Sequence, residues 1–179
     1  MKIKIVLIAL LAIGLKAEMM EKKAYFAAGC FWGVEYYFQK LDGVLQVDSG
    51  YMGGTVDNPT YHQVLTKTTG HLEAVEVVYD PSKVEYKQLV KYFFEIHDFT
   101  QTDGQGPDIG PQYLSAIFYQ TKEEKDIALE IVEILTDMGY SVATQLREYK
   151  PFYKAETYHQ DYYKNRGTKP YCHSYNQIF

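Results

Sequence analysis

The segment HLEAVEVVYD (71–80) constrains the fold of this chain most strongly. Its apolar and polar residues alternate with the period of two that is typical of a β-strand with one buried face, and Asp80-Pro81 ends the pattern. Other strand-like segments alternate with helix-like ones, without the regular rhythm of a doubly wound sheet. The clearest helical spacing follows at Tyr86, Leu89, Val90, Phe93 and Phe94. We therefore predict a compact α+β domain with helices packed on a mixed sheet.

The first residues, MKIKIVLIALLAIGLKAEMM, differ in composition from everything that follows. Two lysines, an apolar run from Ile5 to Leu15 and the small residue Ala17 match the plan of a secretory signal, and the run is too short to cross a bilayer comfortably. We predict that residues 1–20 are a signal peptide, or a membrane anchor if they are not cleaved, and that 21–179 form the domain. The protein is then exported, periplasmic or secreted. In such an oxidising compartment two cysteines can be a standing disulfide or a cycling redox pair.

Charge and residue types exclude some functions. The formal net charge of −5 lacks the basic excess that phosphate binding demands, so we expect no nucleic-acid partner. The five histidines show no pair at metal-binding helical spacing, and two cysteines are too few for a cysteine-rich zinc site. We therefore expect no metal.

Cys30 is the first candidate for chemistry, in the stretch GCFWGVE (29–35). A strand pattern ends at Gly29 and a helix pattern begins here, which would place the cysteine at a helix N-terminus, where unpaired amides lower a thiol pKa. A buried structural cysteine is the alternative from position alone. Phe31 and Trp32 can form the wall of an apolar pocket beside the sulfur, or they can be core residues.

Glu73 is the second candidate, because its strand period places it on the same face as Val75 and Val77. A carboxyl on that apolar face resists ionisation, so its pKa rises and it becomes a proton donor at neutral pH. A solvated strand residue is the alternative, and this description suits Glu76 on the opposite face.

Asp108 and Cys172 are weaker candidates. Asp108 lies in the glycine-rich loop GQGPDIGPQY, where it can approach a ligand or simply form a turn. Cys172 lies in the tail and can close a stabilising disulfide or attack an oxidised partner thiol, and the mobility of chain ends favours the second. Composition alone does not single out Tyr61 and Tyr113 among eighteen tyrosines.

Six motifs, in order and spacing, resemble the A class of the peptide methionine sulfoxide reductase family. They are GCFWGVE (29–35), GYMGG (50–54), NPTY (58–61), GHLEAVEVVYDP (70–81), QGPDIGPQY (105–113) and PFYKAETYHQDYY (151–163). The resemblance covers about residues 24–172. It implies a two-layer α+β sandwich with ferredoxin-like character, selectivity for the S epimer of methionine sulfoxide, free or in proteins, and no bound cofactor. It further implies a monomer recycled by thioredoxin or a similar dithiol.

The resemblance also implies a role for each matching residue. Cys30 matches the nucleophile and Glu73 the acid, while Tyr61 and Tyr113 match the hydroxyls that hold the sulfoxide oxygen. Phe31 and Trp32 match the pocket for the substrate methyl group, and Asp108 matches a residue that orients the site and the substrate. Cys172 is the cysteine available to condense with the Cys30 sulfenic acid.

The chain departs from the family pattern at Phe99, where proline is usual, and at Pro111 and Leu114, where threonine and arginine are frequent. We expect these changes to alter the shape of the substrate entrance. The tail also lacks the second recycling cysteine that some relatives carry, which leaves a cycle of two cysteines.

Two other functions are compatible with the residues taken singly. One is a cysteine acyltransferase or hydrolase with His71 or His97 as the base for Cys30. The other is an exported, tyrosine-rich binding module held by a permanent Cys30–Cys172 disulfide.

Overall fold

The computed structural model describes residues 20–179, so the predicted signal segment lies, except for Met20, outside the described residues. The strands are β1 (Lys22–Ala28), β2 (Val44–Met52), β3 (Leu72–Tyr79), β4 (Gly104–Gln105), β5 (Asp108–Ile109), β6 (Ser115–Tyr119), β7 (Gln145–Glu148) and β8 (Tyr153–Lys154). The helices are α1 (Phe31–Phe38), α2 (Tyr61–Leu65), α3 (Tyr86–Glu95), α4 (Lys122–Asp137) and α5 (Tyr162–Arg166). Short 3₁₀ turns span Pro111–Tyr113 and Thr157–His159. Within 20–179, no helix has the length and apolar character needed to cross a membrane.

Six strands form one mixed sheet in the order β7-β6-β1-β3-β2-β8, and β4 pairs with β5 in a small hairpin. β6 and β7 run parallel, whereas the other neighbours in the sheet are antiparallel. The central order β6-β1-β3-β2, with α1 after β1 and α3 after β3, is the ferredoxin-like arrangement. The predicted α+β fold is confirmed.

The main core lies between one face of this sheet and helices α1, α3 and α4. At its centre Phe26 of β1 stacks on Phe38 of α1, with ring centroids 4.9 Å apart, and on Phe93 of α3 at 5.3 Å. Burying each such ring stabilises the fold by about 1.5–3 kcal/mol. A smaller cluster that includes Met52, Leu72 and Phe118 covers the opposite face. Helices α1, α3 and α4 therefore cover one face of the sheet, and α1 packs across β1, β2 and β3.

The start of α2 differs from what the residues NPTY suggest, namely an Asn58 cap with Pro59 at the first helical position. Asn58 has a φ of 47°, and the helix is capped by Thr60 instead. The Thr60 hydroxyl accepts a hydrogen bond from the Gln63 N–H, and the Gln63 side chain accepts one from the Thr60 N–H at 2.8 Å. This reciprocal pair makes Tyr61 the first helical residue.

Candidate active site

Cys30 is the N-cap residue of α1, as the sequence predicts, and its side chain is buried. Gly29 makes the turn from β1 with a φ of 88°, and a Cβ at that position would overlap the side chain of Gln105. A glycine is therefore required both by the backbone conformation and by the close approach of the β4 strand.

Glu73 lies directly beside the start of α1. The N–H of Phe31 donates a 3.1 Å hydrogen bond to Oε2 of Glu73. The carboxyl is buried on the same face as Val75 and Val77, which confirms the placement expected from the strand period. Burial, followed by the proximity of Cys30, raises the pKa of Glu73 well above its ordinary value, and the Phe31 amide opposes this shift only in part. Burial therefore favours the protonated form of this carboxyl.

Tyr51 and Glu156 anchor the other side of the site, and sequence reasoning did not identify either of them. Tyr51 of β2 pairs with Glu73 across the two strands, and its hydroxyl donates to Oε2 of Glu156 at 2.8 Å. Oε1 of Glu156 accepts from the N–H of Tyr61 at 2.9 Å. Glu156 therefore holds the first turn of α2 against the strand that carries Tyr51.

Tyr61 and Tyr113 enter the site from two different elements, the start of α2 and the 3₁₀ turn after the Asp108 loop. Burial and the nearby Glu73 and Cys30 raise the pKa of Tyr61 to about 12. Burial, Glu73 and Tyr61 raise the pKa of Tyr113. Both hydroxyls therefore keep their protons and can donate hydrogen bonds to an oxygen beside Glu73.

Aromatic side chains form one wall of the site. Phe31 is fully buried, whereas Trp32 is half-buried and stacks flat on Tyr162, with ring centroids 3.6 Å apart. The Trp32 Nε1–H donates to Nδ1 of His159 at 3.1 Å, and the His159 ring lies 5.0 Å from that of Phe31. Tyr162 and His159 come from the PFYKAETYHQDYY motif, and their contacts fix the orientation of the indole.

Asp108 lies in the β5 strand of the small hairpin, near Cys30 and Glu73, whose pKa values it helps to raise. Its Oδ1 accepts a 3.3 Å hydrogen bond from the hydroxyl of Tyr171. Its Oδ2 is buried and has no hydrogen-bond partner among residues 20–179. This oxygen is available to accept a hydrogen bond from a ligand.

Cys172 is not a loose tail residue, because the structure buries it next to Cys30 with both as free thiols. Its carbonyl oxygen accepts a 3.0 Å hydrogen bond from the side chain of Gln105. Further along, the N–H groups of Ile178 and Phe179 donate to Oε1 of Glu95 at 3.0 and 3.2 Å. The tail is therefore docked both at the cysteine and at the last two residues of the chain.

The predicted lowering of the Cys30 pKa by the helix N-terminus is wrong for this state of the protein. The backbone of Trp32 does lower the pKa of the thiol, but the adjacent Cys172 thiol and burial outweigh it, so the net shift is upward. The sequence does not show that Cys172 lies next to Cys30. The upward effect of this second thiol on the Cys30 pKa could therefore not be predicted from it.

Both histidines of the hydrolase alternative are engaged elsewhere. His71 contacts the Gly54 N–H at 3.2 Å and the Val56 carbonyl at 2.7 Å. His97 contacts the Phe93 carbonyl at 2.7 Å and the Ser115 hydroxyl at 2.8 Å. In the described part of the chain, no cluster of three His, Cys, Asp or Glu side chains could hold a metal ion.

Of the three departures from the family pattern, only Pro111 lies at the site, where it begins the turn that ends at Tyr113. Phe99 packs into the core against Phe94, and Leu114 packs on the opposite face of the sheet. Their effect on the substrate entrance stays a prediction.

Taken together, the site brings two adjacent thiols, a protonated carboxyl and two phenol donors to the first turn of one helix, beside an aromatic wall. Such a site can attack an electrophilic atom, protonate the oxygen bound to it, and close a disulfide.

Comparisons with known proteins agree with this chemistry. The family model for peptide methionine sulfoxide reductase matches residues 22–178. The chain is 48% identical over 155 residues to peptide methionine sulfoxide reductase MsrA of Thermus thermophilus, covering 86% of this chain and 88% of the relative. Mxr1 from Saccharomyces cerevisiae in its reduced form superimposes with a TM-score of 0.81 at 32% identity, over 88% of this chain and 93% of Mxr1. A structure of Mxr1 in complex with Trx2 matches with a TM-score of 0.58 at 24% identity, over 88% of this chain and 91% of that one, and shows the shared fold.

Proposed function

The chain belongs to the peptide methionine sulfoxide reductase family, and from this we propose how the residues of its site divide the reaction. The protein is a peptide-methionine (S)-S-oxide reductase, which reduces methionine S-sulfoxide to methionine. The arrangement of Cys30, Glu73 and Cys172 around the first turn of α1 is the observation that supports these roles.

In the first half of the cycle Cys30 attacks the sulfoxide sulfur while Glu73 gives its proton to the sulfoxide oxygen. Tyr61 and Tyr113 donate hydrogen bonds to the same oxygen. The oxygen ends on Cys30 as a sulfenic acid, the sulfide leaves as methionine, and the thiol proton of Cys30 replaces the one that Glu73 gave. The raised pKa of Glu73 supports this step, because an ionised carboxylate has no proton to deliver.

The aromatic wall and Asp108 bind the substrate. The methyl group of the substrate packs against Phe31 and Trp32, since sulfur and its methyl substituents contact aromatic rings favourably. The unpartnered Oδ2 of Asp108 accepts a hydrogen bond from the substrate backbone. The substrates are oxidised proteins and free methionine sulfoxide.

In the second half of the cycle Cys172 attacks the sulfenic sulfur of Cys30, and water leaves as the disulfide forms. A thioredoxin-like protein then reduces the disulfide, and the solved complex of Mxr1 with Trx2 supports a partner of this kind. The enzyme uses no bound cofactor and acts as a monomer.

Export is proposed from the sequence of residues 1–20, with lysines, an apolar run and a small residue in the order of a secretory signal. The enzyme then repairs proteins in the periplasm or outside the cell. If the segment is retained, it anchors the enzyme to the membrane. N-terminal sequencing of protein recovered from the exported fraction tests cleavage.

The activity is tested with pure epimers of a methyl sulfoxide and dithiothreitol as reductant. The S epimer should give sulfide, the R epimer should not, and Cys30→Ser should abolish turnover. Equal turnover of the two epimers, or an active Cys30→Ser variant, would overturn the assignment.

A further inference from the structure

The residue after Cys172 makes a contact that the reaction described above does not use. His173 is buried, and its Nδ1 lies 3.2 Å from the sulfur of Cys172, while its Nε2 lies 2.6 Å from the carbonyl oxygen of Ala28. The ring therefore connects the end of β1, which leads directly to Cys30, with the second thiol of the cycle.

The two contacts of His173 determine where its proton is. A carbonyl oxygen only accepts hydrogen bonds, so Nε2 carries the proton that is donated to Ala28. In the neutral ring Nδ1 then has a free lone pair, and the Cys172 S–H must be the donor in the contact between them. Burial lowers the pKa of His173 to about 4, which keeps the ring neutral under ordinary conditions.

The ring has little freedom to adopt another position. A Cβ at Gly33, in the first turn of α1, would overlap Nδ1 and the adjacent ring carbon of His173. The histidine thus packs directly on the backbone of the helix whose N-cap residue is Cys30. The titratable groups that face it are Cys172, His97 and Asp108. His97 does not compete for the thiol proton, because its two ring nitrogens contact the Phe93 carbonyl and the Ser115 hydroxyl.

We propose that His173 is the general base for Cys172 in disulfide closure, a role that rests on the proposed function of Cys172 as the thiol that resolves the sulfenic acid. As Cys172 attacks, its proton passes to Nδ1 of His173 and its electron pair forms the S–S bond with Cys30. The S–O bond of the sulfenic acid breaks, and the departing hydroxide takes up the proton to give water. In this step the sulfenic sulfur of Cys30 is reduced and the thiol sulfur of Cys172 is oxidised, while the oxygen keeps its oxidation state as it leaves in water.

Glutamine is the most informative replacement, because its amide reaches the position of Nε2 and can still donate to the Ala28 carbonyl, but it offers no base at Nδ1. Asparagine is the complementary replacement, since its amide reaches the position of Nδ1 without being able to take up a proton. Gln177→Ala, which changes an exposed residue of the same tail, is the matched control.

The test is a single-turnover reaction with a methyl sulfoxide in the absence of reductant, followed by rapid quench and mass spectrometry. Sulfide release reports the first half-reaction, dimedone traps the sulfenic acid, and the disulfide peptide reports closure. We expect His173→Gln and His173→Asn to release one sulfide and then to close about 100-fold more slowly than wild type, with the dimedone adduct accumulating. Their closure rate should also rise more steeply with pH, because hydroxide must then remove the thiol proton.

The outcomes separate the two claims. Wild-type closure rates and pH slopes in both variants would overturn the role of His173 while leaving Cys172 as the resolving thiol. Failure of the wild-type protein to form the Cys30–Cys172 disulfide would instead overturn the proposed function of Cys172. A variant that does not fold would release no sulfide, and the other variant then decides the question.

Discussion

The N–H of Phe31 donates to the Glu73 carboxyl at 3.1 Å, which places the carboxyl one residue from the proposed nucleophile. This hydrogen bond joins the first turn of α1 to the start of β3. Because Glu73 lies on the buried face of that strand, loss of solvation raises the pKa of its carboxyl and favours the protonated form. The position of the acid relative to Cys30 is therefore fixed by the packing of a helix on a sheet.

Replacing Glu73 by glutamine tests its role as the acid. Glu73→Gln keeps the size of the side chain and an oxygen acceptor for Phe31, but it removes the transferable proton. We expect kcat to fall about 100- to 1,000-fold with little change in KM, since the lost interaction exists mainly in the transition state. Glu76→Gln, on the opposite face of the same strand, is the control and should keep wild-type kcat. Similar rates in Glu73→Gln and wild type would remove Glu73 from the mechanism.

The same carboxyl predicts a pH dependence. Its pKa is raised, so the carboxyl keeps its proton to a higher pH than an ordinary glutamate and loses it as pH rises through that raised value. The ratio of the wild-type to the Glu73→Gln rate of sulfide release should therefore fall with increasing pH. Taking the ratio cancels the ionisation of Cys30, which both proteins share. A ratio that is constant up to alkaline pH, or that increases, contradicts the assignment.

Removal of the second thiol should make Cys30 more acidic. The Cys172 thiol is the largest cause of the raised pKa of Cys30, so Cys172→Ala should shift the pH midpoint of Cys30 alkylation by iodoacetamide to a lower value. Peptide mass spectrometry distinguishes Cys30 from Cys172 in the wild-type protein. Gln177→Ala should leave the midpoint in place. An unchanged midpoint in Cys172→Ala would show that the two thiols do not interact in the reduced enzyme.

The hydroxyls of Tyr61 and Tyr113 should each stabilise the sulfoxide oxygen independently. Tyr61→Phe and Tyr113→Phe each remove one hydroxyl, and the backbone of residue 61 keeps its bond to Glu156. We expect kcat/KM to fall about 10-fold in each variant, since a hydrogen bond of this kind contributes about 1.5 kcal/mol. Tyr158→Phe, at an exposed tyrosine close to the same motif, is the control. Wild-type kcat/KM in both single variants and in the double variant would argue against this role.

Local patterns in the sequence predicted the parts of the fold that depend on local physics. The period of two placed Glu73 on the buried face, and the strand-to-helix change at Gly29 placed Cys30 at the helix start. At α2 two local patterns compete: Asn58-Pro59 suggests one cap, but the structure uses the Thr60–Gln63 pair, and Asn58 adopts a positive φ instead.

Long-range contacts could not be predicted in this way. The pairing of Tyr51 with Glu73 depends on strand register, and the Trp32–His159 bond joins residues 127 positions apart. The docking of Cys172 against Cys30 depends on Gln105 and on the space left by Gly33. The upward shift of the Cys30 pKa could not be predicted for the same reason, because it is caused mainly by Cys172, which only the folded tail brings close to Cys30.

The most direct measurement of the central claim is a single-turnover assay without reductant on wild type, Cys30→Ser and Cys172→Ala with the S epimer of a methyl sulfoxide. Wild type should release one sulfide per enzyme and end as the Cys30–Cys172 disulfide. Cys172→Ala should also release one sulfide but end as a Cys30 sulfenic acid that dimedone traps, and Cys30→Ser should release none. Sulfide release by Cys30→Ser, or no sulfide from Cys172→Ala, would contradict the account.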